Sequence, residues 1–152
     1  MSLTTPIIKL GSVSQESVGN DTSYAGGAQT SQAVTGSFTA TPVQMFGNAG
    51  DTFLILTGTP GAGFNVTTPT AQLLIQQLTT LLGFVPPVGF SFSFEMANQS
   101  NQQATLVGGT GVTVTGTATV AATSNRQWIA TITNNTFAGA AVTFTNVGSR
   151  TN

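Results

Sequence analysis

Phe90-Ser91-Phe92-Ser93-Phe94-Glu95-Met96-Ala97 alternates without a break, with Phe90, Phe92, Phe94 and Met96 on one side and Ser91, Ser93 and Glu95 on the other. A period of two is that of a β-strand with one face in a core, and no amphipathic helix can be built from it. The pattern recurs in shorter pieces. Phe38–Val43 and Thr52–Thr57 are rich in β-branched and aromatic residues, and Gly47, Gly50 and Gly58 bound them. Downstream, Ala104–Val107, Val112–Thr115, Ala118–Ala121, Gln127–Thr133 and Ala141–Asn146 alternate between Gly, Asn and Ser breaks. Short strands at such regular spacing predict a sandwich or barrel. One apolar face and one hydroxyl face favour an antiparallel meander.

One segment has the helical period instead. Leu74, Leu78, Leu81 and Leu82 recur three and four apart, and Leu73 and Ile75 widen the stripe. Thr68 suits an N-cap, Pro69 the first helical position, and Gly83 a left-handed C-cap before Pro86-Pro87. The spacing predicts a helix over Pro69–Leu82. Its polar face of Gln72, Gln76, Gln77, Thr79 and Thr80 carries no charge.

The first thirty-five residues differ. Beyond an apolar patch at Ile7, Ile8 and Leu10, the stretch Gly11–Ser37 is mostly Ser, Gly, Gln, Thr, Asn and Ala. Such a composition cannot bury enough apolar area to offset the entropy of ordering. Residues 1–35 read as a disordered tail or, in preference because so uncharged a body implies neighbours, as an extended N-terminal arm that orders against a neighbouring subunit, with Ile7, Ile8 and Leu10 as its partner-binding residues. Residues 36–152 read as the β-rich domain. The expected fold is mainly β: an antiparallel sandwich or barrel with one amphipathic helix and the arm.

Charge is nearly absent. Asp, Glu, Lys and Arg make up 5% of the chain, against about 25% in an ordinary soluble domain. Soluble monomers rely on mixed surface charge and a net charge away from zero. This chain has three basic and four acidic residues and a net charge of -1, so much of its surface is expected to be covered by other subunits, or to sit where threonine hydroxyls suffice. Nucleic acid is not an expected partner, because phosphates call for clustered Lys and Arg. Nor is a membrane, since Thr, Gln, Asn, Gly and Pro interrupt every apolar run. The start Met1–Lys9 lacks the basic and long apolar regions of a secretory signal.

Catalytic chemistry is hard to find. The chain has no histidine and no cysteine, which removes the usual neutral-pH base, thiolate nucleophiles and thiolate metal sites. Asp51 and Glu95 lie far apart in sequence, whereas a hydrolytic carboxylate pair must face each other at a set distance. Glu95 sits on the polar face of its strand, where Arg126 or Arg150 is its expected cross-strand partner. Gly58–Gly63 lacks the Lys of a phosphate loop and reads as a turn, and Gly108–Gly111 reads as a hairpin or bulge. Trp128 reads as core, with its N–H satisfied, in preference to a sugar-binding platform with Tyr24. Asn65, Asn98 and Asn134 open glycosylation-like triplets that a Thr- and Asn-rich chain forms by chance. No catalytic residue, metal or cofactor is expected.

The run Ala104-Thr105-Leu106-Val107-Gly108-Gly109-Thr110-Gly111-Val112-Thr113, then Thr119-Val120-Ala121-Ala122, the aromatic strand at Trp128 and the final Ala141-Val142-Thr143-Phe144-Thr145-Asn146-Val147 resemble structural proteins of tailed phages and other large DNA viruses. The helix start Thr67–Ala71 and the strand Val88–Phe92 fit the same pattern. The resemblance spans Thr67 to Val147. It implies a non-enzymatic virion component on the capsid surface, a decoration (cement) protein whose partners are the major capsid protein and itself. Because capsid ornaments sit on symmetry axes, a homotrimer is expected. The alternative is a tail-fibre or receptor-binding domain contacting host glycans; a secreted adhesin is a third reading.

Overall fold

The computed structural model describes residues 28–46 and 52–151. The long alternation becomes β5 (Ser91–Asn98), with Phe92, Phe94 and Met96 buried and Ser91, Ser93 and Glu95 on the other side. β3 (Thr52–Thr57), β6 (Ala104–Val107) and β7 (Val112–Thr115) fall where alternation predicts them. β8 (Thr119–Val120) is shorter than expected, whereas β9 (Ser124–Asn134) and β10 (Ala141–Thr151) run longer. Three further strands are β1 (Ala28–Ala33), β2 (Phe38–Thr39) and β4 (Phe64–Thr67). β1 belongs to the segment read as arm. Its sequence AQTSQA has no apolar period, and pairing with β3 is what makes it a strand.

The strands form two sheets. One has six strands in the order β1-β3-β5-β9-β10-β7, the other four in the order β2-β4-β6-β8. The expected antiparallel meander is corrected here. Among the described residues β1/β3, β3/β5, β10/β7, β2/β4 and β4/β6 pair in parallel, and only β5/β9, β9/β10 and β6/β8 are antiparallel. From β1 to β8 the chain passes alternately from one sheet to the other. Two strands of one sheet are thus separated by a full excursion, which is what parallel neighbours require. The breaks at Gly58–Gly63 and Gly108–Gly111 are steps between sheets, not hairpins.

Two helices lie on these excursions: α1 (Pro42–Phe46), between β2 and β3, and α2 (Ala71–Leu82), between β4 and β5. α1 replaces the second half of the expected Phe38–Val43 strand. Gln44 N–H donates to Thr41 Oγ1 and Thr41 N–H to Gln44 Oε1, a reciprocal capping pair with Pro42 at the first helical position. α2 starts two residues later than expected. Its N-cap is Thr70, which accepts from Leu73 N–H, and Gly83 closes it at φ 83° with its N–H on Thr79 O. Thr68, the expected cap, is buried; its hydroxyl donates to Pro69 O and accepts from Gly109 N–H.

Both sheets and α2 share one core. Leu54, Leu56, Phe92, Phe94, Met96, Trp128, Ile132, Val142 and Phe144 from the large sheet meet Phe64, Val66, Leu106 and Val120 from the small one. α2 adds Leu74, Ile75 and Leu78. A chain of rings runs through its centre: Phe46 edge-on to Phe92 at 4.3 Å, Phe92 to Phe144 at 6.0 Å, and Phe144 to Phe94 at 6.0 Å. Phe94 reaches Trp128 at 5.9 Å. Such pairs add roughly 0.5–1.5 kcal/mol each beyond their burial.

Candidate functional site

The glycine run after β6 fixes the start of α2. Thr110 O accepts from Ala71 N–H, one of the helix's orphan donors, and Gly111 O accepts from Val142 N–H. A Cβ on Gly109 would run into the carbonyl oxygens of Thr68 and Pro69. Gly109→Ala is therefore expected to cost about 1–3 kcal/mol of stability, the range for overpacking, as read by urea denaturation. An unchanged midpoint would mean that the loop is free to move off the helix.

So anchored, α2 faces the turn between β9 and β10 across a groove of about 510 Å³. Ile75, Val85, Phe137 and Ala140 give it apolar walls, and the uncharged polar side of α2 (Gln72, Gln76, Thr79, Thr80) with Asn135 and Thr136 completes the lining. After the Gly83 cap the chain leaves the helix with Phe84, Val85 and Val88 each more than half exposed. Asn135 Nδ2 donates to Pro86 O at 3.0 Å, holding that segment against the opposite turn. The turn is itself fixed, since Asn134 Oδ1 accepts from both the N–H and the hydroxyl of Thr136. Phe137 is 75% exposed at its tip. No charged residue lines the groove. This is an uncharged seat with an apolar floor, fit to bury apolar side chains of a partner.

A second, polar cleft of about 200 Å³ lies at Glu95, Asn125, Arg126 and Gln127. Asn125 Nδ2 donates to Glu95 Oε1 at 3.0 Å, and Asn125 Oδ1 is buried without a partner. The expected Glu95–Arg126 pair is not formed. Register places Glu95 opposite Gln127 and Arg126 opposite Met96, so their side chains leave opposite faces of the sheet. Arg126 Nε donates to Thr119 O at 2.7 Å and Nη1 to Asn146 Oδ1 at 3.2 Å. It thereby ties β8 of the small sheet to the β9/β10 ladder. Arg150 pairs through its backbone with Asn125.

Other singled-out residues take structural places. Trp128 is fully buried, but its Nε1–H has no partner, contrary to expectation. Asn98 is also buried. Its amide donates to Gln102 O and Val120 O and its Oδ1 accepts from Ser100, forming a polar knot rather than a glycan acceptor. Ile7, Ile8, Leu10, Tyr24 and Asp51 lie outside the described residues. Among the described residues no group of three or more acidic side chains stands together as metal ligands. None of the helices there is long and apolar enough to cross a membrane.

Comparison with protein-family models, curated proteins and solved structures found no match to this chain.

Proposed function

We propose that this chain is a non-enzymatic virion structural protein that decorates and cements an icosahedral capsid. The observation that carries this reading is the uncharged groove beside α2, lined by Val85 and Phe137 with Phe84 and Val88 exposed in the segment that follows the helix, on a chain with only seven charged residues. An exposed apolar seat of this kind marks an interaction surface. Copies sit on the shell at its symmetry positions with the groove against the major capsid protein. Covering the groove removes water from large side chains, and the absence of charge there spares the cost of desolvating ions. The arm, through Ile7, Ile8 and Leu10, links each copy to a neighbouring subunit, and the copies associate as a homotrimer. The tail-fibre alternative would turn the exposed rings of Phe84 and Phe137 toward host glycans; Trp128, the sole Trp of the chain, lies in the core and takes no part in either reading.

The test is sedimentation of particles from cells that make this chain. The protein is expected to travel with intact heads through a density gradient. Recovery only at the top of the gradient, with free soluble proteins, would overturn the reading.

A further inference from the structure

The groove beside α2 does not end at Phe137. A smaller hollow of about 180 Å³, lined by Thr70, Thr110 and Ala138, continues it toward the start of the helix. The two share Gln72, Phe137 and Ala140, so they form one trough that follows α2 from its N-cap to Val85 beyond its C-cap. The twelve residues of the helix alone span about 18 Å. Phe137, 75% exposed, stands where the two parts meet. No charged side chain lines either of them.

The polar residues of the helix side have a spacing of their own. Gln72, Gln76 and Thr80 line the trough four residues apart, and four helical residues rise about 6 Å. An extended chain repeats every two residues, about 6.4–6.8 Å, and at each repeat turns one residue's N–H and C=O to the same side. A carboxamide carries both donors and an acceptor. Gln72 and Gln76 therefore match the N–H and C=O of alternate residues on one extended chain laid along α2. Thr80 Oγ1 donates its proton to Gln76 O, and its lone pairs face a third repeat as acceptors. A helix laid in the trough has no such groups to offer, because its own ladder uses them.

We propose that the trough takes an extended, uncharged segment of a partner chain, about five or six residues long at about 3.3 Å each, with its main chain held by Gln72 and Gln76. Every second side chain of the segment points into the trough. Large apolar ones lie over Ile75 and Val85, and a small one fills the lesser hollow at the Thr70 end. A charged side chain pointing inward would lose its water and meet no opposite charge. Main-chain hydrogen bonds supply the affinity and the alternate side chains the specificity, as when a strand is added to a sheet edge. The inference rests on the proposed capsid contact and names the form of the segment that fills the groove.

A library of random dodecapeptides, displayed on yeast and sorted against the full-length protein, reads this preference. Enriched peptides are expected to share an uncharged stretch with apolar residues two apart. Their affinity should fall about 10- to 100-fold for the Phe137→Asp protein, which loses a buried ring. It should fall about 2- to 10-fold for Gln72→Leu and for Gln76→Leu, which keep bulk and helix propensity but lose the carboxamide. Apolar residues three and four apart would show that a helix fills the trough. Equal affinity for the parent and both glutamine variants would show that they do not hold the main chain. No enrichment that depends on Phe137 would show that the trough takes no peptide. Each of these overturns the proposal. The library contains no capsid, so heads that carry the protein while the selection fails would remove this inference and keep the capsid reading; the converse result would do the reverse.

Discussion

Phe94→Ala is expected to lower the unfolding free energy by about 3–5 kcal/mol, as large aromatic truncations in packed cores do. Phe94 is fully buried on β5, which lies between β3 and β9, and its ring meets both Trp128 and Phe144. Truncation removes those contacts and leaves a void that the two sheets cannot close without moving. Against a total stability of roughly 5–15 kcal/mol for a domain, the loss is a large fraction. Urea denaturation followed by fluorescence of Trp128 reads it, since Trp128 is the only Trp and sits beside the deletion. Phe84→Ala is the matched control. Phe84 is more than half exposed, so its truncation should change stability by at most about 0.5 kcal/mol. Equal losses for the two variants would mean that the core is not where the ring chain places it.

Phe137→Asp should do the reverse, leaving the fold intact and weakening attachment to the particle. Its side chain is 75% exposed at the tip of a turn that Asn134 and Asn135 hold without it. The change in stability is therefore expected to stay within about 0.5 kcal/mol. Fully burying a Phe against a partner is worth about 1.5–3 kcal/mol, and the aspartate adds an unpaired charge to an uncharged groove. Particle affinity should fall at least about 10- to 100-fold, measured by titrating the purified protein onto heads that lack it. Val85→Asp, across the groove, should act in the same direction. Unchanged binding by both variants would remove the groove as the contact surface.

Much of the strand inventory was legible because it depends on local alternation. β3, β6 and β7 have the boundaries that their alternation marks, and α2 follows its leucine stripe. Which strand pairs with which was not legible. Gly108–Gly111 has the composition of a hairpin, and what sends β7 to the other sheet is the docking of Gly109 and Thr110 on the start of α2, a contact between distant parts of the chain. α1 was hidden for a different reason. Phe38, Thr39, Thr41 and Val43 have high strand propensity, and this masked the Thr41-Pro42-Val43-Gln44 cap, which could have been recognised from the sequence.

The groove left a fainter signal. Phe84 and Val85 follow a helix-ending glycine, and Phe137 stands alone in the Gly- and Ala-rich turn between two strands. Apolar residues in those positions have no core to enter. That Val85 and Phe137 meet in one groove depends on the α2–turn geometry, which no local pattern encodes. The polar cleft shows the same limit. Glu95 and Arg126 have complementary charge, yet the pairing register sends them to opposite faces of the sheet.

Capsid decoration, as proposed, places this protein on the outside of a viral head. Electron microscopy of the parent particle, reconstructed with and without this chain, tests it most directly. Density is expected at the symmetry positions of the outer shell that disappears when the chain is absent, with α2 and the Phe137 turn facing the capsid subunits. Density confined to the tail, or no difference between the two reconstructions, would contradict it.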